Sequence, residues 1–304
     1  MRNSIVGGAP DLSSYVKERI KISANDGSGD VLQAAVNRPY QASTKPMVIL
    51  IHGLTGCEDS YHILVTANAL LELGHPVLRL NLRGAGPSRM TCRGHYHSGL
   101  SADLSTVIDY LCSHKKAEQI LLMGFSLGGN LLLKCLAEHG GDRRIRAAVA
   151  VCPPVDLKIA QQRIMSRRNW LYHRYLLSRM KSGVQGSDLV KGTNLEWLQS
   201  IRTVYDFDNT VVAPNNGFTN AEDYYFRSSS LPLLDAIEVP TLIIHPQDDP
   251  WVPTQPIIDR NWSRATAITL LSPRFGGHIG SHGVGDKIPW YVDCAVRFFQ
   301  HHKT

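Results

Sequence analysis

The sequence predicts an α/β fold with a mostly parallel, doubly wound sheet and an inserted helical cap. Short apolar runs alternate with helix-like segments through the first half of the chain. The alternation breaks at Pro153-Pro154, where a long helical stretch begins, and it resumes near Val239. We therefore expect an N-terminal core part over residues 1–152, a cap over 153–235 and a C-terminal core part over 236–304.

Composition limits the kind of protein. With 304 residues and 43% hydrophobic content, the chain suffices for one large α/β core with an insertion. The net charge of +6 comes mainly from the middle of the chain, and no block of lysines and arginines is long enough to predict nucleic-acid binding. The first ten residues lack the apolar centre of a signal peptide, and no apolar run reaches membrane-spanning length. We expect a soluble, cytoplasmic protein, with contact to a membrane surface left open.

No pattern in the sequence calls for a cofactor. The six cysteines show neither a CxxC nor a zinc-like spacing, and reduced thiols in the cytosol are expected. His95 and His97 have no neighbouring cysteine or carboxylate to complete a metal site. Gly84-Ala85-Gly86 completes no phosphate-binding motif. The sequence therefore predicts neither a metal nor an organic cofactor.

The elements before the first buried strand predict a hairpin at the sheet edge. Residues 1–19 are polar and mixed, as in a surface arm. Ile20–Ser23 and Val31–Val36 flank a turn rich in Asn, Asp and Gly, which is typical of a β-hairpin. Met47–Ile51 is apolar throughout, as expected for a strand buried on both faces. The other predicted strands are Pro76–Leu80, Gln119–Phe125, Ala147–Val151, Val239–His245 and Thr266–Leu271, and the predicted helices are Tyr61–Leu73, Leu100–Lys115, Leu131–Glu138 and Pro289–His301.

The pentapeptide Gly124-Phe125-Ser126-Leu127-Gly128 has the form of a nucleophile elbow. A sharp turn between strand and helix would lift the Ser126 hydroxyl clear of the sheet. Glycines at both ends lack a Cβ, so neighbouring backbone can pack closely against the turn. The same pattern also suits an ordinary glycine-rich turn. Ser126 is therefore a candidate nucleophile whose assignment depends on partners elsewhere in the chain.

Partners follow in the order that a serine hydrolase requires. Asp248 and Asp249 come directly after a late strand, and His278 lies in a glycine-rich loop after the last strand. The order Ser, Asp, His is that of the α/β-hydrolases. Ser126 would be the nucleophile, His278 would take its proton, and Asp249 would orient the imidazole.

Two of these assignments have competitors. Asp249 is preferred to Asp248 because a proline and an apolar pair follow it, as in the usual loop that carries the acid. His278 is preferred to His282 because two glycines precede it and free the loop backbone. Both alternatives stay open at this stage.

A second loop is expected to complete the site. His52-Gly53-Leu54 comes directly after the buried strand Met47–Ile51. Gly53 is expected to turn the backbone so that the Leu54 N–H joins the N–H of Leu127 in an oxyanion hole. His52 is predicted to support this loop rather than to take part in catalysis.

The stretch from Asp156 to about Leu234 is mostly helical in pattern and rich in Arg, Lys, Trp and Tyr. Such a composition also occurs in RNA-binding proteins, but the spacing fits an amphipathic helix with a solvated basic face. We predict a helical cap over the active site. Within it, Val211–Phe218 is expected to be a loop whose apolar side chains shape an acyl pocket.

Further stretches complete a recognisable pattern: His52–Gly56, Asn81–Gly84, Tyr96–Gly99 with Asp103, Gly124–Asn130, Tyr205–Asp208, Gly217-Phe218, Asp223–Tyr225, Asp248–Pro250 and Gly277–Gly280. They cover most of residues 45–285. With them the chain resembles the α/β-hydrolase superfamily and, within it, the YheT-like esterases, which include EMB8-type, ABHD-type and yeast medium-chain ethyl ester synthase/esterase relatives. The resemblance implies a carboxylic ester hydrolase for short- to medium-chain acyl esters, with Ser126, the Asp248-Asp249 pair and His278 as its catalytic residues.

Other functions stay open beside a serine esterase with a small-molecule acyl ester as its substrate. A thioesterase or an alcohol acyltransferase would use the same acyl-serine with a different acceptor. An interaction protein on a hydrolase scaffold would lack activity, and a nucleic-acid binder would use the basic cap. The complete set of catalytic residue types favours the esterase.

Overall fold

The computed structural model describes residues 8–185, 187–192, 195–280 and 288–302. Its strands are β1 (Val16–Ser23), β2 (Val31–Arg38), β3 (Met47–Ile51), β4 (Val77–Leu80), β5 (Ile120–Phe125), β6 (Ile145–Val151), β7 (Thr241–Ile244) and β8 (Ile268–Leu271). They form one eight-stranded sheet in the order β1-β2-β4-β3-β5-β6-β7-β8. The pairs from β4 to β8 are parallel, while β1 and β2 pair antiparallel at one edge. The mostly parallel sheet that the sequence predicts is confirmed.

Helices cover both faces of this sheet. On one face lie α1 (Tyr61–Glu72) and α11 (Trp290–His301), and on the other lie α2 (Ser101–Ser113) and α3 (Leu127–His139). Alternate residues of β3 enter the two apolar clusters, with Val48 in one and Ile49 in the other. Because the strand is buried on both sides, its continuous apolar run is the pattern that such a position requires.

The edge hairpin is longer than predicted. β1 begins at Val16, so residues 16–19 belong to the strand and not to a surface arm. The exposed side of this edge strand carries charged residues, which suits an edge because charges oppose pairing with another chain. One of them, Arg19, forms an ion pair with the buried Glu58.

A helical insertion lies between β6 and β7. Its α-helices are α4 (Leu157–Ile164), α5 (Trp170–Val184), α6 (Leu195–Ser200), α7 (Val204–Phe207), α8 (Ala213–Asn215) and α9 (Ala221–Ser228). The prediction of a loop over Val211–Phe218 is wrong for the first half of that segment. A π-helix spans Asp208–Val212, and α8 follows it directly. Pro214 is the second residue of α8 and lies near the end of this continuous helical run.

Two short helical segments lie in the loops that follow the strands. A 3₁₀ turn, Gly86–Met90, follows β4, and the four-residue α10 (Gln255–Ile258) lies between β7 and β8. In the described part of the chain no helix combines the length and the apolarity that crossing a bilayer requires.

Candidate active site

Ser126 lies at the turn between β5 and α3. Its φ of 50° and ψ of −122° place it in a region that residues other than glycine rarely occupy. A Cβ on Gly124 would collide with the Gly128 carbonyl, and a Cβ on Gly128 would collide with the carbonyl oxygen of His52. Only glycines allow so close a turn. The helix begins at Leu127, earlier than the predicted Leu131, so its free N–H groups point at the serine.

The structure brings Ser126, His278 and Asp249 together at the carboxyl edge of the sheet. The Nε2 atom of His278 lies 3.1 Å from the Ser126 hydroxyl oxygen. The Nδ1 atom of the same ring lies 2.6 Å from Oδ2 of Asp249. With Nδ1–H donating to the carboxylate, Nε2 is the acceptor for the serine hydroxyl. This is the geometry that activates a serine for attack on an acyl carbon.

The competing residues are placed differently. Asp248 is exposed, and its Oδ1 accepts the backbone N–H of Gly277 at 2.8 Å. It therefore holds the loop before His278 and leaves the ring to Asp249. The other competitor, His282, lies outside the described residues.

Asp249 is buried and held by several donors. Its Oδ1 accepts the N–H groups of Trp251 and Val252, both at 2.9 Å. Burial opposes ionisation of this carboxyl, but His278, His245 and the Val252 N–H outweigh it and hold the pKa of Asp249 well below its usual value. Asp249 is therefore a carboxylate throughout the neutral range.

One residue near the acid was missed by the sequence analysis. His245 follows β7 and is fully buried. Its Nε2 lies 3.1 Å from the Val252 carbonyl oxygen and 3.4 Å from Oδ2 of Asp249. Its only signal in the sequence is a polar residue at the end of an apolar strand, four positions before the acid.

The loop after β3 approaches Ser126 closely. A Cβ on Gly53 would lie 3.1 Å from the Ser126 Cβ, so a glycine at this position lets the loop come this close to Ser126. The left-handed residue of this loop is Thr55, with φ of 60°. The Tyr96 hydroxyl accepts the Thr55 N–H at 2.6 Å and fixes this conformation.

The two residues expected to form the oxyanion hole lie beside Ser126. Leu54 and Leu127 both line the cavity at this serine. Within the residues that the structure describes, neither N–H donates a hydrogen bond to the protein. Free N–H groups at a helix start and in a neighbouring loop are the donors that a developing oxyanion needs.

His52 is a structural residue in this arrangement. Its Nδ1–H donates to the Gly53 carbonyl at 2.8 Å, and its Nε2 accepts the Leu82 N–H at 3.1 Å. Burial lowers its pKa to about 4, so the ring is neutral. The contacts fit the supporting role expected from the sequence.

The histidine pair of the next loop is engaged with backbone. Nδ1 of His95 lies 3.1 Å from the Tyr96 carbonyl oxygen, and Nδ1 of His97 accepts the Gly99 N–H at 3.2 Å. The described residues that place metal-ligating atoms within 4.8 Å of one another are Cys152, Asp249 and His278. Burial raises the pKa of the Cys152 thiol well above its usual value, so this group is neutral beside the His–Asp pair.

A cavity of about 380 Å³ opens over Ser126. The core contributes one wall, and the insertion contributes the other. Trp251 stacks on Tyr172 of α5, with ring centroids 3.8 Å apart, and joins the acid loop to the insertion. Most of the remaining wall from the insertion is apolar: Leu157, Ala160, Ile164, Leu176, Met180, Val204, Phe207 and Val212.

A buried carboxyl group interrupts this apolar wall. Asp208, in the π-helix, lines the cavity and accepts the Tyr225 hydroxyl at 2.7 Å. Burial raises the pKa of Asp208 to about 7. Nothing in the sequence pattern marks this residue for its chemistry.

Comparison with known proteins identifies the class. Residues 46–263 match the family model described as the alpha/beta hydrolase fold, and the chain belongs to that family. The esterase Pf2001 of Pyrococcus furiosus shares the fold, with a TM-score of 0.67 at 20% identity over 99% of this chain and 96% of the other.

The sequence relatives narrow the class. YheT of Escherichia coli K12 is 33% identical over 262 residues, which cover 84% of this chain and 76% of YheT. The monoacylglycerol lipase of Saccharomyces cerevisiae is 30% identical over 84% of this chain, which spans only 59% of that protein. The resemblance to YheT-like proteins is thereby confirmed, and the chain is a hydrolase of the esterase and lipase type.

Proposed function

We propose that this enzyme is a serine carboxylesterase that hydrolyses short- to medium-chain acyl esters through an acyl-serine intermediate. The observation that carries the proposal is the continuous hydrogen-bonded series from Ser126 through His278 to Asp249. It lies at the floor of a cavity with mainly apolar walls, as an acyl substrate requires.

In the first half of the reaction Ser126 Oγ attacks the ester carbonyl carbon and passes its proton to Nε2 of His278. The negative charge that develops on the carbonyl oxygen is held by the N–H groups of Leu54 and Leu127. Each such donor typically contributes about 3–4 kcal/mol to lowering the barrier. The tetrahedral species then expels the alcohol, which takes the proton from His278 and leaves an acyl group on Ser126.

In the second half a water molecule attacks the acyl carbon and gives its proton to His278. Collapse of this second tetrahedral species releases the carboxylic acid and returns the proton to Ser126. Asp249 keeps the imidazole in the required tautomer and stabilises the imidazolium in both halves.

The cavity favours acyl chains of limited length. Its volume of about 380 Å³ lies near the lower end of the range for small-molecule sites, roughly 300–1,000 Å³. In this proposal residues 153–235 act as a cap domain whose side chains bound the acyl group. The small-molecule ester would be met in the cytoplasm, where the six free cysteines stay reduced.

Hydrolysis of p-nitrophenyl esters from acetate to palmitate tests the proposal. We expect the highest kcat/KM at short to medium chains and a loss of about 10⁴-fold or more in Ser126→Ala. The matched control is Ser113→Ala, at the exposed end of α2, which should keep full activity. A fluorophosphonate probe should label the wild type and the control but not Ser126→Ala.

Undiminished hydrolysis by Ser126→Ala would refute the serine nucleophile. Adding acyl thioesters or alcohol acceptors to the same assay separates ester hydrolysis from thioester cleavage and acyl transfer, since all three begin from one acyl-serine.

A further inference from the structure

The positive charge of the chain is concentrated in one part of the insertion. Between Leu157 and Val184 there are seven lysines and arginines and no aspartate or glutamate. The whole chain has 32 basic and 26 acidic residues, so the remainder holds 25 against 26 and is nearly neutral. Helices α4 and α5 therefore form a separate basic region.

Helix α5 also exposes large apolar side chains. Leu171 is 69% exposed, Trp170 52% and Tyr175 50%. Leu171, Arg174 and Tyr175 lie three and four positions apart and share one side of the helix. The Arg174 guanidinium lies 5.6 Å from the Trp170 ring centroid. We call Trp170, Leu171, Arg174 and Tyr175 the outer face of α5.

The other side of α5 belongs to the cavity, which is lined by Tyr172, Leu176 and Met180. Arg179 lines the cavity and is also exposed, so the cavity reaches solvent beside this helix. Arg89 is also exposed and also lines the cavity. Its guanidinium donates a hydrogen bond of 3.2 Å to the carbonyl oxygen of Ser182, near the end of α5. The mouth of the cavity is therefore next to the outer face.

We propose that the outer face of α5 docks on an anionic membrane surface and turns the mouth of the cavity toward the lipid. A helix with Trp, Leu and Tyr beside arginines is suited to the boundary between headgroups and acyl chains. Arginines near an anionic leaflet add electrostatic attraction. This inference goes beyond the proposed esterase activity and does not depend on it.

Charge distinguishes this partner from a second copy of the chain. Within the described residues Arg167, Arg168, Arg174 and Arg179 form no ion pair with a carboxylate. Two such surfaces would repel each other if they met face to face. An RNA partner would satisfy the arginines but would leave Leu171 exposed to a polar backbone.

Vesicle sedimentation of the full chain tests the docking. We expect binding to vesicles of phosphatidylcholine with phosphatidylserine, weak binding to phosphatidylcholine alone, and release as the salt concentration rises. Tyr175→Asp and Arg174→Glu should each weaken binding about tenfold. Both should keep wild-type hydrolysis of a soluble p-nitrophenyl ester, because neither side chain lines the cavity.

Tyr40→Asp is the matched control. Tyr40 is 74% exposed and follows the end of β2, where Asn37 pairs with Val77 at the start of β4. It therefore lies at the end of the sheet opposite Ser126, and its replacement should not change vesicle binding. Equal binding by Tyr175→Asp and wild type would overturn the proposal, as would an equal loss in Tyr40→Asp. Size-exclusion evidence of a dimer lost in Tyr175→Asp, or RNA binding without vesicle binding, would overturn it as well.

Discussion

Asp249 and Asp208 are both buried carboxyl groups near the same cavity, yet their protonation differs. Asp249 receives hydrogen bonds from His278 and from the N–H groups of Trp251 and Val252. For Asp208 the described structure shows the hydroxyl of Tyr225 as donor. The pKa of Asp249 lies well below the usual value, whereas that of Asp208 is raised to about 7.

The difference shows that burial alone does not decide the charge of an acid. Burial raises the pKa at both positions. At Asp249 a histidine pair and two backbone N–H groups favour the ionised form and outweigh it. At Asp208 the single hydrogen bond from the neutral Tyr225 hydroxyl does not outweigh burial. The first acid is therefore suited to hold a histidine ring, and the second is a protonated wall residue at moderately acid pH.

Replacing the carboxylate of the proposed triad should have the largest effect. Asp249→Asn is expected to lower kcat by about 10⁴-fold, because the amide no longer fixes the His278 tautomer. Asp248→Asn is the matched control and should cost far less, since Asp248 binds the Gly277 N–H and does not touch the ring in the described structure. Steady-state kinetics of the two variants decide the matter. A greater loss in Asp248→Asn would reverse the assignment.

A smaller effect is expected at His245, which we predict to be a positioning residue for Asp249. His245→Leu removes a donor from the carboxylate, so the pKa of Asp249 should rise toward its ordinary value, as a carboxyl titration followed by NMR would show. We expect kcat to fall roughly tenfold to a hundredfold.

His245→Gln keeps an N–H donor and serves as the conservative control. It should recover part of the activity and return the pKa of Asp249 toward its wild-type value. Equal losses of activity and unchanged carboxyl titrations in both variants would indicate that His245 only fills space.

The smallest effect on catalysis, and a distinct effect on stability, is expected at Asp208. Between about pH 4 and 7 the unfolded chain has released this proton and the folded chain has kept it. The free energy of unfolding should therefore fall as the pH rises through this window, by on the order of 4 kcal/mol at most.

Asp208→Asn should remove this contribution and flatten the pH dependence, as measured by urea unfolding from pH 4 to 8. Tyr225→Phe deletes the hydroxyl that favours the ionised form, so it should leave the slope in place and extend it to higher pH. An unchanged slope in Asp208→Asn would show that this acid is ionised in the folded protein.

The sequence predicted what depends on local pattern. Ser126 is marked by its glycines, and His278 and Asp249 by their positions after buried strands. The residues that it missed depend on tertiary contacts instead. Nothing near His245 indicates that its ring reaches Asp249, and nothing near Asp208 indicates burial against Tyr225.

Details of the backbone conformation likewise could not be predicted from the sequence pattern. Gly53 was expected to let the backbone turn in the loop after β3. The left-handed residue of that loop is Thr55, whose N–H is bound by Tyr96 from a distant loop. The π-helix over Asp208–Val212 consists of Asp, Asn, Thr and Val, which rank low in helix propensity, so the residue types do not predict a helix there.

Two adjacent residues, Asp248 and Asp249, each form a hydrogen bond with the loop that carries His278. Asp248 binds its main chain at Gly277, and Asp249 binds its ring. The His278 ring and the Asp249 carboxylate should therefore move together when the loop moves. The adjustable gap in this enzyme is then the 3.1 Å between Ser126 and His278, and a crystallographic series with inhibitors of increasing bulk should show that distance widening while the His–Asp separation stays constant.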